Sequence, residues 1–267
     1  MNNTAKAAHR VAPWTSRIGA VWYRHMRVYT KTLFSNALPP FLEPLIFLGG
    51  IGLGLGAFVP AIGGVSYVSF LAAGLLVTSS MYTAAFEMSY GTYIRMEFDK
   101  VYDGMLGAPV SADDLMVGEI LWCGTKGAVF SACVLIVCLL FGALSPGWIL
   151  LSPLIGFLTG VMFAVASLLV TTVVDNLDNF NFYFTGFLSP MFFFAGVVFP
   201  LESLPRYMLP LAEAVPLTHV VRLVRGLGVQ GGPSFGLVHL WDAAYCVMFT
   251  ALVGAWALAR IKRKLVD

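Results

Sequence analysis

The sequence predicts an all-α polytopic membrane protein with six transmembrane helices. Three observations carry that prediction: composition, long uncharged runs, and the placement of the basic residues. Of the 267 residues, 58% are hydrophobic and 11% charged, against roughly 25% charged in an ordinary soluble domain. Mean hydropathy is +0.82. No charge occurs from Pro44 to Phe86, Gly127 to Val174, Asn179 to Leu201, or Ala243 to Ala259. A soluble domain, a disordered chain and a disulfide scaffold are excluded. An outer-membrane barrel is disfavoured, because barrel strands alternate apolar and polar residues.

The first element is the segment 13–35. From Trp14 to Phe34, Ile18, Val21, Trp22, Met26, Tyr29 and Leu33 recur at spacings of three and four. Arg17, Arg24, Arg27 and Lys31 fall largely between them. This pattern reads as an amphipathic helix lying in the membrane interface, its cations toward lipid headgroups. An ordinary positively charged flank is the plainer alternative. No short apolar core with a small-residue cleavage site follows, so a secretory signal peptide is not expected.

The spans come next. A membrane-crossing helix needs about 20 apolar residues. The run 44–86 is too long for one and breaks at Val59-Pro60-Ala61-Ile62-Gly63-Gly64. The run 127–174 breaks at Ser145-Pro146-Gly147. Spans are placed at 37–58, 67–90, 119–143, 148–173, 180–200 and 239–259, within a single domain over 1–267. Spans 1–5 occupy 37–200, and a long loop, 201–238, precedes span 6. Of the 16 Lys and Arg residues, thirteen lie in the N-terminal segment, the loop after span 2 with Lys126, and the C-terminal tail. The remaining three, Arg206, Arg222 and Arg225, lie in the loop 201–238. Both termini are therefore expected on the cytoplasmic side.

The loop between spans 2 and 3 carries Phe98, Val101, Tyr102, Met105 and Leu106 as one apolar stripe at helical spacing. Gly107 and Pro109 end this helix. Ser111 and Asp114 form a capping-box pattern opening the next. Arg95 and Asp99 stand four apart. The stripe must bury itself, either on helix ends of this chain or against a soluble partner.

Candidates for intramembrane chemistry are few. Glu43 and Glu87 sit near span ends and are expected to form salt bridges, with Arg24, Arg27 or Lys126 as partners. Span 5 is crowded with aromatic rings, among them Phe180, Tyr183, Phe184 and Phe187, with Asn176, Asn179 and Asn181 at its entrance. Such rings can stack on sugars or lipid chains, or serve as packing bulk. Gly50 and Gly54, like Gly52 and Gly56, are four apart and suit close helix approach. Cys123, Cys133, Cys138 and Cys246 read as small apolar helix residues, with neither zinc nor disulfide spacing. No catalytic constellation, metal site or P-loop is present, so the chain is read as a non-enzyme without a cofactor of its own. A nucleic-acid partner is not expected.

Several segments together resemble a known family. They are Leu42-Glu43-Pro44-Leu45-Ile46-Phe47 with Gly52 to Gly56, and Ser66 to Leu75. Phe86-Glu87, Tyr90-Gly91, Met105-Leu106 to Pro109, Asp113-Asp114, Gly118-Glu119 and Thr125-Lys126 follow. Phe199-Pro200, Leu204-Pro205, Pro210-Leu211 and Pro216-Leu217-Thr218-His219 complete the set. In order and spacing the chain resembles the membrane-spanning subunit of ABC exporters of the ABC-2 type. It is particularly similar to the rhizobial nodulation-factor (lipochitooligosaccharide) export permeases.

The resemblance implies a dimer of six-span subunits, expected as a homodimer in the bacterial cytoplasmic (inner) membrane, served by two ABC ATP-binding subunits that hold ATP and Mg. It makes the helix around Phe98–Gly107 a coupling helix docking on the ATPase. Segment 13–35 becomes an interface helix beside it, and loop 201–238 holds re-entrant helices dipping into the outer leaflet. A path for an amphipathic substrate would run along spans 1, 2 and 5, with Phe180, Tyr183, Phe184, Phe187, Glu43 and Glu87 as candidate lining. Drug or antibiotic efflux remains an alternative within the family. A secondary carrier, or a membrane-embedded enzyme without an ATPase, is the alternative from outside it.

Overall fold

A computed structural model describes residues 12–31, 38–59, 61–229 and 233–266. Apart from one bridge between Ile62 and Val65, every regular element among them is helical. Helix α1 is Trp14–Lys31, and the segment 32–35 of the expected interface helix lies outside the described residues. Helix α2 runs over 39–56, with a wide turn at Leu48–Leu53. Helices α3 (Tyr67–Phe98), α5 (Ala112–Leu140) and α6 (Trp148–Thr171) follow, with the short α4 (Val101–Leu106) between α3 and α5. Helix α7 covers 177–194, α8 Leu209–Ala214, α9 Pro216–Gly226, and α10 Leu237–Val266.

Among the described residues, four helices are long and apolar enough to cross a membrane: α3, α5, α6 and the stretch Leu237–Leu265 of α10. At 24 to 32 residues each, they reach about 36–48 Å, against a hydrocarbon layer of about 30 Å. The runs 37–58 and 180–200 correspond to α2 and α7, which are shorter. Breaks fall where the sequence places them. Gly63 and Gly64 adopt φ of 57° and 83° in the turn before α3, a conformation that glycine takes without steric cost. Ser66 then caps α3, its Oγ accepting from the Ser69 N–H at 3.1 Å.

Helix α3 is the centre. Of its most apolar window, 78% is buried inside the chain, against 22% for α10. The small polar residues of α3 tie it to its neighbours. Ser80 donates to the Gly127 carbonyl of α5 at 2.7 Å, and Thr171 of α6 donates to the Met88 carbonyl at 3.0 Å.

Helices α5 and α6 cross almost backbone to backbone. A Cβ at Gly127 would stand 2.6 Å from the Gly156 carbonyl oxygen, and one at Gly160 would stand 2.8 Å from that of Cys123. Lipid offers no hydrophobic drive between helices, so close van der Waals packing must hold them. The glycines singled out in α2 behave differently. Gly52 and Gly56 approach Val68 of α3, while Gly50 and Gly54 meet nothing within 4 Å among the described residues.

Replacing Gly160 with Leu should therefore destabilise the fold by about 1–3 kcal/mol through overpacking. Gly54→Ala should leave stability unchanged or raise it by up to about 1 kcal/mol. Thermal unfolding of the two purified variants in the same detergent separates the outcomes.

Candidate functional site

The site is built around α4. Helix α3 stops at Phe98 because Lys100 takes a left-handed conformation, φ 50° and ψ 30°. This corrects the single helix expected over Phe98–Gly107. Phe98 belongs to the end of α3 and is 65% exposed, whereas α4 has only six residues. A left-handed residue cannot continue a right-handed helix, so the five-residue stripe is split. Val101, Met105 and Leu106 are half-buried, and Tyr102 is buried. After the turn, Ser111 caps α5. Its backbone N–H donates to the Asp114 carboxylate at 2.9 Å, and its Oγ accepts from the Asp114 N–H at 3.2 Å. Arg17 of α1 reaches the same carboxylate at 3.2 Å.

Tyr102 points inward, to Glu119. Its hydroxyl donates to Glu119 Oε2 at 2.6 Å, and Thr92 of α3 donates to the same oxygen at 3.0 Å. Glu119 Oε1 faces His25 Nε2 of α1 at 3.1 Å and Arg95 Nε of α3 at 3.2 Å. The Glu119 side chain has no solvent exposure. A charge so placed persists only with partners on every side, and here three helices, α1, α3 and α4, supply them. Burial, then the neighbouring Glu119 carboxylate, pushes the Tyr102 phenol well above its ordinary range. The phenol therefore stays protonated and donates.

Arg95 extends the network. Its Nη1 donates to Glu87 Oε1 at 2.8 Å, and Lys126 of α5 donates to Glu87 Oε2 at 2.9 Å. Gly91 makes room for the guanidinium, since a Cβ there would lie 3.2 Å from Arg95 Nη1. Another glycine seats α1. A Cβ at Gly118 would stand 2.7 Å from Val21 Cβ, so only glycine lets α1 approach α5 at this level. Trp22 of α1 donates from Nε1 to Thr125 at 3.0 Å. A cavity of about 350 Å³, walled by His25, Tyr29, Glu87, Arg95 and Lys126, opens beside the network.

The other sequence candidates are dispersed. Glu87 pairs with Lys126, as expected, and also with Arg95. The Glu43 side chain lies outside the described residues. Phe180 is fully buried within this chain, and Tyr183 is buried with its hydroxyl 2.9 Å from that of Ser167. Phe184 is half-buried, and Phe182, Phe187 and Phe193 face outward. Tyr90 of α3 joins Phe86, Phe180 and Phe184 in one aromatic cluster. Sequence reading missed Glu119 and His25 as network members. One signal was available for Glu119, an acidic residue isolated in the apolar stretch Ile120–Cys123 on one side and Met116–Gly118 on the other. His25 carried none. Among the described residues, no group of three His, Cys, Asp or Glu side chains is placed to hold a metal.

The profile of the ABC-2 type transporter family matches residues 16–227. The chain is 36% identical over 249 residues to nodulation protein J of Sinorhizobium fredii, covering 93% of this chain and 94% of that one. Against nodulation protein J of Rhizobium leguminosarum bv. trifolii it is 38% identical over 209 residues, 77% and 79% of the two chains. A more distant relative is the inner membrane transport permease YadH of Escherichia coli, 24% identical over 237 residues, 86% and 90% of the two.

Glu119→Ala leaves Arg95 and His25 facing no carboxylate at that position and should cost about 3–5 kcal/mol. Tyr102→Phe removes one hydrogen bond to a charged group and should cost about 1.5–3 kcal/mol. The two losses should be strongly non-additive. A double-mutant cycle from denaturant or thermal unfolding measures the coupling, and simple additivity would contradict the network.

Proposed function

The chain belongs to the ABC-2 type transporter family, and we propose that it is the membrane-spanning subunit of an ATP-driven exporter whose coupling element is α4. It is a transport subunit, and the power would come from two copies of a separate ABC ATP-binding subunit, which bind ATP and Mg. Two copies of the permease would form the pathway between them. The thirteen basic residues flanking α1, α4 and the end of α10 support a cytoplasmic position for that face and for both termini. Helices α2 and α7 would supply the two remaining spans. The inner membrane is the expected location, as the name of the Escherichia coli relative states for that protein.

One observation carries the reading: a six-residue surface helix is wired by a buried phenol–carboxylate bond to the ends of three others. Tyr102 holds Glu119 of α5, and Glu119 holds Arg95 of α3 and His25 of α1. A displacement of α4 imposed by a partner is not absorbed freely, because taking the phenol donor away from a buried carboxylate costs about 1.5–3 kcal/mol. The bond favours moving α3 and α5 with it. Asp103, Gly104, Gly107 and Ala108 are exposed on α4 and its turn and would form the face toward the ATPase. Tyr102 is thus a transmitter rather than a docking residue.

The cargo we propose is an amphipathic saccharide or glycolipid, of the lipooligosaccharide type that the resemblance to nodulation-factor permeases implies. The outward-facing Phe182, Phe187 and Phe193 of α7 support it, since aromatic faces accept both sugar rings and acyl chains.

Gly104→Glu and Ala108→Glu should abolish co-purification with the ATPase and lower transport at least tenfold in proteoliposomes. Tyr102→Phe should preserve co-purification but reduce cargo moved per ATP hydrolysed. If the glutamate variants retain both ATPase binding and transport, α4 is not the coupling element.

A further inference from the structure

At the end of the molecule away from α4, the turn before α3, the segment after α7 and helix α9 enclose a second cavity of about 730 Å³, within the range of ligand-binding pockets. Val65, Phe70 and Leu201 give it an apolar wall, and Arg222 and Arg225 of α9 give it cations. The two arginines differ. Arg222 is already neutralised, its Nη1 3.0 Å from Asp242 Oδ1 and its Nη2 2.6 Å from Glu213 Oε1. Arg225 forms no ion pair among the described residues. The adjoining undescribed stretch, Gln230-Gly231-Gly232, contains no carboxylate.

Arg225 is held in place all the same. Its Nη2 donates to the Gly196 carbonyl at 2.8 Å and to that of Phe70 at 3.3 Å, and its guanidinium carbon lies 3.6 Å above the Phe70 ring. Its Nε is buried and has no hydrogen-bond partner among the described residues. Carbonyls and a ring face offset part of the cost of burying this cation, but a buried guanidinium ordinarily takes an anion bidentately. Among the described residues lining the cavity, the one carboxylate is Glu202, which is exposed and, although its charge acts on Arg225, forms no ion pair with it.

We propose that this cavity binds the anionic headgroup of an amphipath, a phosphate or sulfate ester seated on Arg225 with its first methylenes along Val65, Phe70 and Leu201. The proposed orientation, on which this rests in part, puts the cavity at the outer leaflet. A resident phospholipid and a departing anionic cargo share this chemistry.

Full-length permease purified in a neutral maltoside detergent should be titrated with dodecyl phosphate, inorganic phosphate and excess dodecyl maltoside, read by thermal shift and native mass spectrometry. Dodecyl phosphate should bind saturably. Inorganic phosphate should bind at least tenfold more weakly, because it gains nothing from the apolar wall, and the neutral detergent should give no shift. Arg225→Lys keeps the charge but loses the fork, and should weaken binding about tenfold or more, since a hydrogen bond to a charged group is worth about 1.5–3 kcal/mol. Should that variant misfold, two others still decide. Ser234→Trp, at an exposed lining position, should block binding, and Glu202→Gln should tighten it about twofold or more.

Phosphatidylglycerol that survives delipidation on the wild type but not on Ser234→Trp would identify a resident lipid as the source. Its absence alongside saturable dodecyl phosphate binding would favour cargo. No saturable binding, or equal binding by all variants, overturns the proposal. Because the readout is binding, failure here with intact ATPase coupling leaves the transport reading standing, and the reverse result leaves this site standing.

Discussion

A carboxylate with no access to solvent, Glu119, governs the end of the molecule where α4 sits. Its charge cannot be left without partners at that depth, so the chain must deliver donors from every helix that passes. Thr92 and Arg95 come from α3, Tyr102 from α4 and His25 from α1. The consequences run outward. Arg95 occupies space that Gly91 leaves open, Glu87 is drawn in to balance it, and Lys126 closes the far side. Gly118 lies immediately before Glu119 and admits α1 close enough for His25 to reach. One buried charge thus sets the relative positions of four helices.

The middle of the molecule obeys a different rule. There the helices are apolar all round, and burial no longer distinguishes one face from another. Contact depends on how closely two backbones can come, and glycine decides it. The α5–α6 crossing at Gly127, Gly156 and Gly160 is the clearest instance. Serine and threonine hydroxyls add single bonds between helices, as from Ser80 to the Gly127 carbonyl. A polar clamp returns at the opposite end of α3. There Arg225 gathers carbonyls from the start of α3 and the segment after α7, while His219, Arg222 and Asp242 bind α9 to α10. The central helix is thereby held by charge at both ends and by close packing between.

This arrangement suits a transport subunit. Close-packed apolar helices can slide or tilt as bodies, because most of the contact in the middle is non-directional packing, tied only by single bonds such as that from Ser80 to the Gly127 carbonyl. Networks at the ends resist separation and pass displacement on. The short helix α4 meets such a network through a single side chain, Tyr102.

Much of the architecture was legible in the chain. Uncharged runs, the breaks at Gly63-Gly64 and Pro146-Gly147, and the Ser111–Asp114 capping box each follow from local chemistry, and the structure has all of them. The pairing of Glu87 with Lys126 was also within reach, since a charge near an apolar run needs a partner. The break at Lys100 was not, because a left-handed lysine has no compositional signature. Nor was the split of the aromatic residues of α7 into buried Phe180 and Tyr183 and outward-facing Phe182. By itself, the sequence determined a polytopic helical membrane protein with a basic face and an amphipathic segment between its second and third apolar runs, because hydropathy and charge are properties of neighbouring residues. Only the tertiary structure decided that Tyr102 turns inward to Glu119 and that Arg225 forms no ion pair among the described residues, because those partners lie 17 residues apart in one case and, in the other, depend on which distant segments enclose the side chain.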